Sequence, residues 1–363
     1  MNNLDEERKL INSIDDEMLM LFLKRMEVAK RIGQYKFENN LPILDKKREE
    51  EIIASRVKDI EDEEMKEYII QFLKELMNIS KRVQENVIVG KKVAYCGVEG
   101  AFAQIASKRV FDKAELIGYP DFSSAYQAVE NGECDRACLP IENSNVGDVG
   151  SVMDLVFQGS LYINKIYELE IDQCLLGVKG TTIDSIKTII SHPQALSQCK
   201  AFIDSHSYNT MEYGNTALAA KEVVKLNDPS IAVIASAETA TLYGLDIIKE
   251  KVNTSRDNTT RFAMFSNKIT LPNKESKVGE NFIIVFTCKN EAGSLAKTLN
   301  IIGAHSFNMR NLRSRPLKGL MWNYYFFVEL EGNVNSQDGQ DMMQELKPFC
   351  DLLRLVGTYN SNK

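Results

Sequence analysis

Apolar positions keep a helical period from residue 4 to residue 37. Ile11, Met18, Arg25 and Ile32 stand seven apart, and Ile14, Leu21, Val28 and Tyr35 repeat the interval three residues on. This is an a/d seam. It contains a single glycine, Gly33, and no proline. A helix of this length runs about 50 Å, longer than a compact domain of about 90 residues is wide, so it predicts a homodimer joined along the helix. Leu41-Pro42 ends it, and Asp45 is placed to cap a second helix. A third helix, over about 62–88, carries its apolar stripe at Ile69, Phe72, Leu73, Leu76, Val83 and Val87.

A linker at 86–92 leads into a different pattern, in which short apolar runs alternate with helical ones. Strands are predicted at 93–96, 115–119, 136–140, 161–171, 188–192, near Met211 and at 231–235. Helices fall before Val110, over 123–131, and from Pro193 and Asn215. That order predicts two open α/β lobes with ligand bound at strand carboxyl ends, in the cleft between them. After a second linker at 268–280, strands at 281–287, 308–313, 324–330 and near Leu355 enclose helices from Gly293 and Ser336, a βαββαβ order.

Composition changes little of this. At 363 residues the chain can bury two or three separate cores, and 44% hydrophobic with 26% charged residues is ordinary soluble composition. A net charge of −7 argues against general nucleic-acid affinity. Seven cysteines without a CxxC pair, and three scattered histidines, fit free thiols and neither a disulfide framework nor a metal centre. The polar start shows no signal peptide, and no apolar run approaches a membrane span. The expectation is a cytoplasmic protein without metal or cofactor.

Arg25 changes the picture more. A buried cation is costly unless an anion meets it, although such a residue can also fix register or snorkel. Lys36 lies three helical turns on and projects from nearly the same face. Asp45, Arg48, Glu49 and Ile52 share one face of the second helix, either a solvated ion-pair stripe or a wall of the same space. Ser80 and Gln84 interrupt the third helix's stripe one turn apart and point the same way. Further on, Gly97-Val98-Glu99-Gly100 precedes a helix and is either an anion-binding loop or a tight turn. Glu142-Asn143-Ser144 and Ser191-His192-Pro193-Gln194 follow apolar strands, where they cap a helix or line a cleft. Asn258-Thr259-Thr260-Arg261-Phe262 enters an apolar run, as a turn with an exposed charge or as a catalytic hydroxyl beside a fixed cation. No nucleophile elbow or Ser-His-Asp order stands out.

Residues 4–88, with Arg8, Arg25, Lys36, Asp45, Arg48, Glu49, Ser80 and Gln84 in register, resemble the all-helical chorismate mutase family. The resemblance implies rearrangement of chorismate to prephenate, a unimolecular step that needs a compact bound conformer and charge stabilisation at the breaking ether oxygen. It implies that Arg25, Arg48 and an Arg8 contributed from a partner's helix bind the substrate. Lys36 and Gln84 would face the ether oxygen, with Asp45, Glu49 and Ser80 on the hydroxyl side and the second carboxylate.

Pro140-Ile141-Glu142-Asn143-Ser144, Ser191-His192-Pro193-Gln194 with Gln198, Thr241-Leu242-Tyr243-Gly244 and Thr260-Arg261-Phe262 resemble prephenate dehydratase over about 92–267. The implied reaction removes a ring hydroxyl and CO₂ from prephenate to give phenylpyruvate. Thr260 would hydrogen-bond or protonate the departing hydroxyl, polarised by Arg261 or networked with Glu142. Glu142, Asn143, Ser191, Gln198 and Arg261 would complete the pocket. Val98 stands where that family usually has proline, and Ala103 where a small hydroxyl residue is common.

Gly293-Ser294-Leu295-Ala296 and Ser314-Arg315-Pro316 resemble an ACT regulatory domain, which implies binding of L-phenylalanine and feedback inhibition. Arg313 departs from the glutamate usual there. Three domains are therefore expected: all-α over 1–90, a two-lobed α/β domain of periplasmic-binding-protein type over 91–267, and an α+β ferredoxin-like ACT domain over 280–363. The ACT domain would offer a second oligomer interface. Two rivals remain: a chain retaining only one activity, and a non-catalytic amino-acid-sensing dimer.

Overall fold

A computed structural model describes residues 4–38, 41–88, 92–255, 257–275, 280–317 and 323–361. The expected linkers at 86–92 and 268–280 lie partly outside these. The chain falls into two compact units, residues 1–89 with 270–275, and residues 90–269 with 276–363.

The first unit consists of α1 (Leu4–Glu38), α2 (Lys46–Val57) and α3 (Glu63–Ile88). Asp5, Glu6 and Glu7 in the first turn of α1 and Lys36 in its last complement the helix dipole. Asp45 caps α2 as expected, its Oδ1 accepting from the Arg48 amide at 3.0 Å. Gly33 is glycine because α3 passes so close: a Cβ there would lie 2.9 Å from Gln84 Cα. The core of one chain is thin, with Met26, Ala29, Val57 and Met77 buried. The seam residues Ile11, Ile14, Met18, Leu21, Val28, Ile32 and Tyr35 stay between 43% and 64% exposed.

The second unit opens with β1 (Lys92–Cys96), α4 (Phe102–Val110), β2 (Glu115–Tyr119), α5 (Phe122–Glu130), β3 (Arg136–Asn143), the short β4 (Gly147–Asp148), α6 (Gly150–Gln158) and β5 (Tyr162–Glu170). The chain then crosses to a second lobe. That lobe holds β6 (Cys174–Gly177), β7 (Thr188–Ser191), α7 (Pro193–Gln198), α8 (Lys200–Ser205), β8 (Asn209–Glu212), α9 (Thr216–Leu226), β9 (Ile231–Ala235), α10 (Ala237–Tyr243) and β10 (Asp246–Lys249). It returns in β11 (Thr259–Ser266). The strand order is β2-β1-β3-β11-β5 in the first lobe and β10-β6-β9-β7-β8 in the second. The two crossing segments are laced together: the Ile171 amide donates to Asn258 O at 2.7 Å, and the Val252 amide to Gln173 O at 2.8 Å.

The remainder is β12 (Glu280–Thr287), α11 (Ser294–Ala304), β13 (Asn308–Pro316), β14 (Tyr324–Glu331), α12 (Gln337–Leu346) and β15 (Leu352–Asn360). Its four strands form an antiparallel sheet ordered β13-β14-β12-β15, with β13 at the edge. β15 meets β5 in parallel at Gly357 and Ile163, which extends the first lobe's sheet. One apolar core accordingly runs through both, joining Leu139, Ile163 and Phe265 to Ile283, Val285, Phe327 and Val356. No helix among the described residues is long and apolar enough to cross a membrane.

Candidate active sites

Arg25, Lys36, Asp45, Arg48, Glu49, Ser80 and Gln84 line one cavity of about 430 Å³, walled by Val28, Ile32, Ile43 and Ile52. Arg25 donates to Ser80 Oγ and, at 3.3 Å, to Leu76 O, and the Ser80 hydroxyl in turn donates to Leu76 O at 2.8 Å. Lys36 Nζ donates to Ile43 O at 2.7 Å. Burial lowers the pKa of both cations, and for Lys36 the nearby Asp45 and Glu49 pull the other way without prevailing. Gln84 Oε1 is buried with no hydrogen-bond partner among the described residues. Such a group costs about 1–3 kcal/mol until a donor meets it. Lys81, which no sequence pattern singled out, also lines the cavity and pairs with Glu49 at 3.1 Å. Arg8 does not reach it; its exposed guanidinium lies 3.5 Å from Asp5.

Antiparallel register builds the second site. On β3 and β11, Thr260 stands opposite Asn143 and Arg261 opposite Glu142. Opposed residues share a face and successive residues alternate, so Thr260 and Asn143 project from one side and Arg261 and Glu142 from the other. The buried Asn143 donates through Nδ2 to Thr260 Oγ1 at 2.9 Å, Asn258 Oδ1 at 2.8 Å and Thr259 O at 3.2 Å. Its Oδ1 accepts from the Asn145 and Val146 amides. The carboxamide is therefore fixed in orientation. A Thr260 oxygen that accepts from Asn143 keeps its own proton for an acceptor in the cleft. Asn258 is buried too and lies on the returning crossing segment, so the hydroxyl sits where the two lobes join.

On the opposite face, Arg261 donates to Glu142 Oε2 and Glu329 Oε2, both at 3.0 Å, to Glu329 Oε1 at 2.7 Å and to Tyr359 Oη at 3.2 Å. Burial opposes the Arg261 charge, but Glu329 and Glu142 outweigh it and its pKa is raised. Burial likewise pushes Glu329 up, yet Arg261 holds it below its ordinary value. This corrects the expected polarisation of Thr260 by Arg261 or Glu142. Strand alternation turns both away, and Asn143 is the side chain that touches the hydroxyl.

The other predicted residues are placed less openly. Ser191, at the end of β7, is fully buried and donates to Ile234 O at 2.6 Å. Gln198 ends α7 and accepts from Gln173 Nε2 at 3.4 Å. His192 Nδ1 caps α7 on the Gln194 amide at 3.2 Å. In the loop 97–100 the Gly97 amide donates to Tyr119 O and the Gly100 amide to Gln104 Oε1, both at 2.8 Å. Thr239 and Tyr243 of α10 donate to Gly100 O and Glu99 O. The loop thus ties the lobes together, and these two amides are not open to an anion. A groove of about 420 Å³ is lined by Leu169, the β5 partner of Thr260 in the sheet, by Ile105 and Arg109 of α4 and by Ala237 and Glu238 of α10, with Glu170 and Asp172 also bordering it.

In the C-terminal region Gly293, at φ 84°, precedes Ser294, Leu295 and Ala296 at the start of α11. Ser314, Arg315 and Pro316 lie on the edge strand β13, where Arg315 donates to Asp154 at 3.0 Å. Arg313 pairs with Glu142 at 2.5 Å and also with Asp148.

A three-helix unit with a cation-lined pocket, followed by a two-lobed unit with a fixed threonine hydroxyl at the lobe junction, defines a mutase joined to a dehydratase. The family model described as chorismate mutase type II matches residues 7–85, and that described as prephenate dehydratase matches residues 93–270. The chain is 28% identical over 369 residues to a bifunctional chorismate mutase/prephenate dehydratase of Enterobacter agglomerans, covering 98% of this chain and 95% of that one. It is 32% identical over 291 residues to arogenate dehydratase/prephenate dehydratase 2, chloroplastic, of Arabidopsis thaliana, covering 77% and 76%. A solved prephenate dehydratase of Arthrobacter aurescens in complex with L-Phe aligns with a TM-score of 0.69 at 25% identity, over 74% of this chain and 90% of that one. The chain belongs to the bifunctional chorismate mutase/prephenate dehydratase family. It converts chorismate to prephenate and prephenate to phenylpyruvate, in aromatic amino acid biosynthesis.

Proposed function

We propose that the two reactions run in two separate sites, that the mutase site is completed by a second copy of the chain, and that residues 280–363 are an ACT-type domain regulating the dehydratase. In the mutase, Arg25 and Arg48 bind the carboxylates of chorismate while Lys36 and Gln84 meet the ether oxygen as charge develops there. The observation that carries this reading is the unpartnered Gln84 in a pocket with Lys36. If the amide is turned so that its NH₂ takes that place, the same vacancy admits the ether oxygen, since amide orientation is set by the ligand. Asp45, Glu49 and Ser80 hold the hydroxyl side, and Arg8 arrives from the partner along the uncovered seam of α1. Separate assays of chorismate and prephenate consumption test the assignment; loss of mutase turnover in Gln84→Ala with dehydratase retained is the expected result.

In the dehydratase, the bond to the carboxylate carbon breaks and its electron pair enters the ring as the ring C–O bond breaks. The departing hydroxyl takes one proton and leaves as water beside CO₂. Thr260, held as an acceptor by Asn143, donates its hydrogen bond to that oxygen and relays a solvent proton to it. Feedback by L-phenylalanine is supported by the βαββαβ sheet and by the ligand of the Arthrobacter aurescens protein. Arg315 is engaged with Asp154, so effector contacts would rest on Gly293 to Ala296 and on Ser314. Titration calorimetry with L-phenylalanine is expected to show saturable binding and inhibition of the dehydratase alone.

A further inference from the structure

We propose that Arg313 is a positioning residue for the dehydratase, acting through Glu142 and Asp148 on the turn that fixes Asn143 and, through it, Thr260. The inference rests on the reading of Thr260 given above. Glu142 and Asp148 are directly paired across β3 and β4. Like charges in that position repel. Arg313, whose side chain is 13% exposed, reaches over from β13 and takes one carboxylate with each end of its guanidinium. The residues between the two carboxylates form the turn in which Asn143 Oδ1 holds the Asn145 and Val146 amides.

Other groups facing this cluster do not replace Arg313. Arg261 meets Glu142 but is shared with Glu329 and lies near Glu168 at 3.8 Å. Arg310 lies 3.9 Å from Glu329 and 3.7 Å from Glu331. Arg315 also acts on Asp148, but its guanidinium is bonded to Asp154 at 3.0 Å. Without Arg313 the two acids keep only Arg261 and Arg315, each engaged with another carboxylate, and the turn is pushed open. The Asn143 amide then loses its fixed direction, and the Thr260 proton with it. A glutamate at 313, the residue usual in the family this region resembles, would add a third acid to the pair. Because Arg313 immediately precedes Ser314 on the same strand, a ligand that shifts β13 pulls on the same link.

Full-length R313E, R313Q and R313K are compared with the parent chain in the prephenate assay, with mutase turnover and a cooperative thermal melt as controls for folding. R313E is expected to lose about tenfold or more in dehydratase kcat with KM within about threefold, since Thr260 is misdirected and not removed. R313Q loses less, R313K retains most of the rate, and adding D148N to R313E restores part of it. Dehydratase kcat within about twofold of the parent in R313E overturns the proposal, as does equal loss in R313K and R313E. T260A is run beside them. If it keeps its activity, the reading of the site fails; if it is inactive while R313E is normal, only the Arg313 proposal fails.

Discussion

Lys36 carries a charge that its surroundings oppose. Burial lowers its pKa from the ordinary 10.5, and Asp45 and Glu49 offset only part of that. In the proposed role at the ether oxygen Lys36 acts as the ammonium, so turnover should fall as pH rises, beginning below the range of a free lysine. D45N removes one of the two anions that hold the proton and should move this alkaline limb to still lower pH; a pH–rate profile of both proteins checks the sign. K36A should abolish mutase turnover while dimer and dehydratase persist. At the other site T260A should eliminate phenylpyruvate formation, and T260S, which keeps the hydroxyl, should retain part of it. The Thr260-Arg261-Phe262 motif, on which the proposal for Thr260 rests, was legible in the sequence because it is local. Its hydrogen-bond donor was not: Asn143 lies 117 residues away, and which neighbour of Thr260 it touches depends on a register that no local pattern specifies.

At the scale of elements, alternation along β11 sends the Thr260 hydroxyl one way and an ion-pair cluster the other. The cluster centres on Glu329 of β14, which is 1% exposed. Removing one partner of a buried ion pair typically costs about 3–5 kcal/mol, so E329A should lower the melting temperature of the second unit markedly. Its carboxylate has a depressed pKa in the fold. The stability it contributes is therefore present above its unfolded pKa and lost as pH falls through the folded value. Melts recorded at decreasing acidic pH should show this loss in the parent and not in E329Q. On α1, G33A should press on the backbone of α3 at Gln84 and cost about 1–3 kcal/mol, with mutase turnover lost before helicity. Long periodic elements such as α1 and β5 were readable. By contrast α6 follows Val149, which offers no side-chain cap, and β6 is a run of four buried residues, too short to tell from a helix fragment.

For the molecule as a whole, the exposed seam of α1 and the distance of Arg8 from the pocket bear on one question. A single chain leaves Ile11, Ile14, Met18 and Leu21 in water and its mutase pocket without the third arginine. If a second copy covers the seam, each pocket uses Lys36 of one chain and Arg8 of the other. Neither R8A nor K36A alone should then support mutase turnover, yet the two chains together should. In a mixed dimer the R8A chain keeps its own Lys36 and receives Arg8 from the K36A chain, so one of its two sites is intact. Random pairing makes half the dimers mixed, which predicts about a quarter of the parent turnover when both chains are co-expressed equally. An Arg8 acting within its own chain gives no recovery at all. Replacing Leu21 with Asp should abolish both the dimer, measured by analytical ultracentrifugation, and the recovery. The dehydratase should survive that change, because Asn143, Asn258 and Thr260 all come from the second unit of a single chain.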